Sequence, residues 1–231
     1  MSYRCVLISG ANRGIGAAVA ERLSKDGWAV SLGMRKPVMP DWARQLPADR
    51  TQLVAYDATK PESEADWVEA ADAKFGRIDA VVANAGLMIP HDVIEASEDD
   101  IRQMMEVNVM APRRLAKAAW HALGTSGRGR IIVLASMSGK RVKSAASGSY
   151  AMTKFAAVAL SHALRHAGYA QGIRATAICP GFVATDMARN VSSLEDEAMT
   201  DPRDLARMIA MILDLPNEAI VAELAVNCML E

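Results

Sequence analysis

The sequence predicts an α/β protein built on a doubly wound sheet of about seven mostly parallel strands, with helices on both faces. Short apolar runs alternate with longer amphipathic segments along the whole chain, and a glycine-spaced turn separates the first run from the first helix. Asp, Gly and Pro punctuate the boundaries in the way helix starts and stops require.

In chain order, RCVLIS at 4–9 reads as the first strand and the segment from Gly14 to Asp26 as the first helix, stopped by Asp26-Gly27. WAVSLG at 28–33 is the second strand, and the stretch from Met34 to Pro47, with three prolines, is the main irregular connection. TQLVAY at 51–56, a helix from Glu62 to Lys74, IDAVVA at 78–83 and a single long helix from Asp99 to Leu123 follow. RIIVLAS at 130–136, a helix from Ser149 to Ala167 and IRATAIC at 173–179 continue the alternation. A second irregular stretch, Met187 to Thr200, leads to a helix from Pro202 to Leu213 with Asp201 as its cap, and AIVAELAV at 219–226 is the last strand. No solenoid-length repeat or low-complexity tract is present.

A chain of 231 residues, 51% of them hydrophobic, can bury one substantial core, so one domain is expected. Its 26 basic and 27 acidic residues nearly cancel, leaving no global field to draw nucleic acid or an anionic membrane. Anion recognition would have to be local. Cys5, Cys179 and Cys228 are odd in number and lie in apolar runs, which fits buried thiols in a reducing compartment. With no signal-like N-terminal succession and no apolar stretch of spanning length, a soluble cytoplasmic protein is expected.

CVLISGANRGIGAAVAERL sets a hydrophobic strand before, and an alanine-rich helix after, Gly10, Gly14 and Gly16. Such glycines let backbone approach a pyrophosphate, and the helix N-terminus offers free N–H groups and positive dipole to it. The spacing G-x-x-x-G-x-G departs from G-x-G-x-x-G, and no G-K-[ST] signals a phosphoryl-transfer loop. After the second strand, Met34 stands where an acid would bond the adenosine ribose, and Arg35 follows it. Arg35, with Arg13 and Lys36, can neutralise a 2′-phosphate, which favours NADP(H) and leaves NAD(H) possible; the plainer alternative is three solvated cations.

Tyr150 and Lys154 are four residues apart, so on a helix they share one face, and Ser136 precedes Tyr150 by fourteen positions at a strand end. A neighbouring cation is expected to favour the phenolate, as acid–base work on a carbonyl or alcohol requires.

Ser9-Gly10-Ala11-Asn12-Arg13-Gly14-Ile15-Gly16, Ala83-Asn84-Ala85-Gly86, Asn108, Ser136, Tyr150-x-x-x-Lys154 and Pro180-Gly181, in this order, resemble the single-domain short-chain dehydrogenase/reductase family over nearly the whole length. The resemblance implies a Rossmann-type fold, with Tyr150 as general acid in reduction and base in oxidation. It implies that Lys154 bonds the nicotinamide ribose and that Ser136 holds the substrate oxygen. Asn108 corresponds to the family's residue that helps hold a relay water, although a buried Asn satisfied by backbone remains the competing reading. Cofactor contacts are implied for Gly10, Arg13, Gly14, Ile15, Gly16 and Arg35, and for Asp57 beside the adenine. Asn84, Ala85 and Gly86 correspond to the segment near the ribose, and Pro180, Gly181, Val183 and Thr185 to the turn at the carboxamide. Ser9 in place of Thr keeps a hydroxyl, whereas Ala83 in place of Asn removes an amide that braces the sheet. The short segment between Thr185 and Pro202 implies an open or promiscuous pocket. Homodimers or homotetramers joined through the Tyr150 helix and its predecessor are also implied.

The leading expectation is thus an NADP(H)-dependent oxidoreductase for a small carbonyl or alcohol. A 3-oxoacyl carrier-protein reductase, docking its carrier on Lys140, Arg141 and Lys143, and a dinucleotide sensor without turnover are the rivals. His162 and His166 have a chelating spacing, but H-A-L-R-H lacks the Glu of H-E-x-x-H and a third ligand, so no metal is expected. Ser136 is not in a G-x-S-x-G elbow, which disfavours a hydrolase.

Overall fold

The computed structural model describes residues 3–230. Seven strands, β1 (Cys5–Ser9), β2 (Ala29–Met34), β3 (Thr51–Ala55), β4 (Ala80–Ala83), β5 (Arg130–Leu134), β6 (Arg174–Pro180) and β7 (Glu223–Val226), form one sheet in the order β3-β2-β1-β4-β5-β6-β7. Every pairing is parallel, and the strand directions reverse their stepping between β1 and β4. Ligand crevices of open α/β sheets form at such a switch point, outside the carboxyl ends of the strands.

Alternate residues of each strand feed two separate cores. Val6, Ile8, Val30, Leu32 and Val82 face α1 (Gly14–Lys25) and the last long helix, whereas Leu7, Val81, Ile131 and Val133 face the helices on the other side. Burial on both faces explains why the strands read as continuous apolar runs.

The other helices are α2 (Ser63–Phe75), α3 (Glu98–Met105), α4 (Ala111–Ala118), α5 (Trp120–Thr125), α6 (Gly148–Gly168), α7 (Asp186–Arg189) and α8 (Pro202–Asp214). Asp201 caps α8 by accepting a bond from the Arg203 N–H, as its sequence foretold. The single helix expected from Asp99 to Leu123 is instead interrupted. A π turn over Glu106–Met110 separates α3 from α4, and the path breaks again before Trp120. Pro112 accounts for the first break: it has no N–H to give the Asn108 carbonyl four residues back, and its ring would crowd that carbonyl in a regular helix. The stretch expected to be irregular from Met34 to Pro47 contains, after the end of β2, only a short turn at Asp41–Ala43, and that from Met187 to Thr200 only the end of α7 and a turn at Asp196–Ala198. Among the described residues, no helix is long and apolar enough to cross a membrane.

Candidate active site

A cleft of about 1600 Å³ runs along the carboxyl ends of the strands, from Arg35 and Asp57 beyond β2 and β3 to Ser136 and Tyr150 beyond β5. The glycine turn lies midway. Gly10 and Gly14 have φ of 65° and 58°, a left-handed backbone that a side chain would strain. Gly16 answers a different need, because a Cβ there would lie 2.5 Å from the Gly10 carbonyl oxygen and 2.6 Å from Asn84 Nδ2. Arg13, at the helix N-cap, is extended and gives α1 no side-chain cap, and no acid occupies the first turn. The turn therefore offers uncapped N–H groups and positive dipole to the cleft, the donor set an oxygen-rich anion requires.

The turn is braced from β4. Ser9 Oγ accepts bonds of 2.9 Å from the N–H groups of both Asn84 and Ala85, and Asn84 Nδ2 donates to the Ser9 and Gly10 carbonyls. This bracing runs through Ser9 and Asn84 and so does without the amide absent at Ala83.

Of the residues singled out in the sequence, Gly10, Arg13, Gly14, Ile15, Arg35, Asp57, Asn84, Ala85, Gly86, Pro180, Gly181, Val183 and Thr185 all line the cleft with Ser136, Tyr150 and Lys154. Gly16 and Asn108 lie behind its wall. Asp57 accepts bonds from the Thr59 N–H and hydroxyl, and these, with the Lys60 and Arg35 charges, hold its carboxyl below the usual range. Arg13 pairs with Asp186 of α7, so this cation is shared with the opposite wall. Gly14 and Thr185 meet at the same place, a Cβ on Gly14 falling 3.1 Å from Thr185 Cγ2. Trp42 Nε1 donates to the Asn12 carbonyl and packs the loop after β2 against the glycine turn. Nothing in the sequence around Trp42 or Asp186 signals these contacts, which depend on segments distant along the chain.

At the other end, α6 begins at Gly148 and presents Tyr150 and Lys154 on one face. Lys154 Nζ donates to the Leu134 carbonyl at 2.7 Å and lies 5.5 Å from the Tyr150 ring centroid. Ser136 Oγ accepts from the Ser138 N–H at 3.0 Å, and the nearness of its hydroxyl draws the Tyr150 phenol's pKa partway back down. Burial nevertheless wins and pushes the phenol well above its ordinary value. The neighbouring cation expected to favour the phenolate, Lys154, does not outweigh this burial, because its own ammonium is desolvated and pulled down from 10.5 to about 8.

The Asn108 amide is held by protein groups at both its oxygen and its nitrogen. Its Oδ1 accepts from the Leu87 N–H at 2.9 Å, while Nδ2 donates to the Leu87 carbonyl at 2.8 Å and to Thr153 Oγ1 at 2.9 Å. It thus ties the loop after β4 to α6, next to Tyr150 and Lys154.

The basic loop after β5 is partly neutralised: Lys140 pairs with Glu223, which also lies 2.8 Å from His162 Nε2. Among the described residues, no cluster of three or more His, Cys, Asp or Glu is arranged to hold a metal.

A family model of the short chain dehydrogenases matches residues 4–196, and the chain belongs to the short-chain dehydrogenase/reductase family of NAD(P)-dependent oxidoreductases. Its similarity to an agropine synthesis reductase of Rhizobium rhizogenes is 37% identity over 98% of this chain, which spans 53% of that relative's length. An uncharacterised oxidoreductase of Staphylococcus aureus strain MRSA252 is 30% identical over 98% of both chains. Among solved structures, an alcohol dehydrogenase of the archaeon Thermococcus sibiricus complexed with 5-hydroxy-NADP superposes with a TM-score of 0.85, at 29% identity over 96% of this chain and 95% of that one.

Proposed function

We propose that the protein is an NADP(H)-dependent oxidoreductase that interconverts a small carbonyl and its secondary alcohol, with Tyr150 as the proton-transferring group. The observation that carries this reading is the meeting of the Tyr150 phenol, the Ser136 hydroxyl and the Lys154 ammonium at one end of a cleft whose middle is an uncapped glycine turn. When bound, the nicotinamide supplies the hydride in reduction and accepts it in oxidation. The chain's own residues do the rest. Burial keeps the Tyr150 proton in place at neutral pH, so the phenol is ready to give it to a substrate carbonyl oxygen. Ser136 donates to the same oxygen and holds it within reach. Lys154, cationic below about pH 8, offsets the negative charge that Tyr150 acquires on losing its proton.

The residues present fit the dinucleotide. Gly10, Gly14, Ile15 and Gly16 with the α1 N-terminus would hold the pyrophosphate, and Asn84, Ala85 and Gly86 would flank the ribose. Pro180, Gly181, Val183 and Thr185 would border the nicotinamide. Arg35 and Arg13 would meet a 2′-phosphate where no acid stands to repel it, and the Thermococcus complex supports the phosphorylated cofactor. Asn108 serves by holding Leu87 and α6 in place.

An acyl-carrier substrate is less well supported, because Lys140 already pairs with Glu223. The chain works as one domain and assembles as a homo-oligomer, a reading supported by Met152 and Phe155, exposed on the outer face of α6. Sedimentation should show the Met152→Glu/Phe155→Glu protein at lower mass than the wild type, and equal masses would remove this face from the assembly.

The reading is tested by a panel of ketones with NADPH and with NADH. Oxidation of NADPH by at least one carbonyl, with NADH poorer, is expected. Tight NADPH binding with no turnover on any carbonyl would favour a sensor.

A further inference from the structure

Beneath the adenosine end of the cleft lies a charged cluster that no step above uses. Glu64 of α2 is 1% exposed, and both of its carboxylate oxygens accept bonds of 3.2 Å from Arg114 of α4. The same guanidinium donates to the Ala58 carbonyl at 2.9 Å and to Glu106, the first residue of the π turn, at 2.5 Å. Tyr56 closes the cluster, its hydroxyl 3.4 Å from Glu64 and its ring 4.9 Å from that of Trp67. Burying the Glu64 carboxylate under a largely covered guanidinium is costly unless geometry rewards it, and replacement of such a pair by apolar groups commonly stabilises a fold. The charged pair sits at the border of a core that Trp67, Ala71 and Leu115 fill together with Tyr56 and Ala58.

What the cluster does hold is the loop after β3. Tyr56, Asp57, Ala58 and Thr59 all line the cleft beside Met34 and Arg35, and Arg114 grips this loop by the Ala58 carbonyl. We propose that Arg114 is a positioning residue for the adenosine half of the cofactor, fixing the loop from Tyr56 to Thr59 against the π turn through Glu106 and against α2 through Glu64. The inference rests on the dinucleotide reading given above. A loop fixed before binding loses less freedom when the ligand arrives, which is where the affinity comes from.

The experiment measures binding of 2′,5′-ADP, the adenosine half alone, and of NADPH, by calorimetry and fluorescence titration, on wild type and Arg114→Met. Activity with reduced nicotinamide mononucleotide, which lacks the adenosine half, is measured alongside. Both adenosine-bearing ligands should bind about tenfold more weakly to the variant, equivalent to about 1.4 kcal/mol, while turnover of the mononucleotide stays unchanged. A merely structural role would instead weaken all three together, and that result, or unchanged 2′,5′-ADP affinity, would overturn the proposal. If Arg114→Met does not fold because it strands the Glu64 charge, Glu64→Gln/Arg114→Met is read by the same criteria. Wild type that binds neither NADPH nor 2′,5′-ADP would sink the dinucleotide reading itself.

Discussion

Lys154 carries the plainest conflict between stability and chemistry in the molecule. It is 4% exposed, its ammonium bonds a single carbonyl, and burial pulls it down to about 8 from 10.5. Below pH 8 both folded and unfolded chains hold the proton, and the folded state bears the full cost of a buried charge. Between 8 and 10.5 the folded state releases it first, so this group's contribution to stability rises with pH. Urea unfolding at pH 7 and pH 10 should therefore show wild type gaining stability relative to Lys154→Met across that interval; no relative gain would mean the ammonium is not penalised. Arg13 supplies a second test. Its pairing with Asp186 is solvent-exposed and worth at most about 1 kcal/mol, so a 2′-phosphate can draw it away. Asp186→Asn should tighten NADPH about threefold in fluorescence titration and NADH less, with the gain fading in salt. Equal effects on the two cofactors would detach Arg13 from the 2′-phosphate.

At the scale of elements, the strands and α1 could be read from the chain because local pattern and tertiary role coincide. CVLI is apolar throughout because both faces of β1 are covered, and Gly16 is demanded by a backbone approach within the motif itself. Tyr150 and Lys154 were legible for the same reason, since helical spacing alone puts them on one face. The π turn was not. Periodicity runs through from Asp99 to Leu123, and only the missing N–H of Pro112 marks the place where the helix widens. The Arg13–Asp186 pair and the Arg114 cluster join segments far apart in sequence, which no local pattern encodes. If Pro112 maintains the π turn, Pro112→Ala restores the donor for the Asn108 carbonyl and lets the helix tighten, drawing the Asn108 amide away from Leu87 and Thr153. The folded variant should lose about tenfold to a hundredfold in kcat with little change in KM for NADPH. Unaltered kcat would show that the turn does not set the catalytic geometry.

Across the whole molecule, one parallel sheet brings the glycine turn and the Tyr150–Lys154 pair to the same edge, although Gly10 and Tyr150 are 140 residues apart in sequence. The right-handed succession of strand and helix delivers both to the carboxyl ends of β1 and β5, and the two buried cores hold them there. The cleft and the placing of Tyr150 in it are thus consequences of topology, and the proposed reaction requires the Tyr150 proton to meet a substrate at that end of the cleft. The most direct test is single-turnover oxidation of NADPH by a carbonyl that the panel identifies, followed by stopped flow in wild type and Tyr150→Phe. The variant should bind NADPH as wild type does and transfer hydride at least about a hundredfold more slowly. An undiminished transfer rate in Tyr150→Phe would contradict the mechanism.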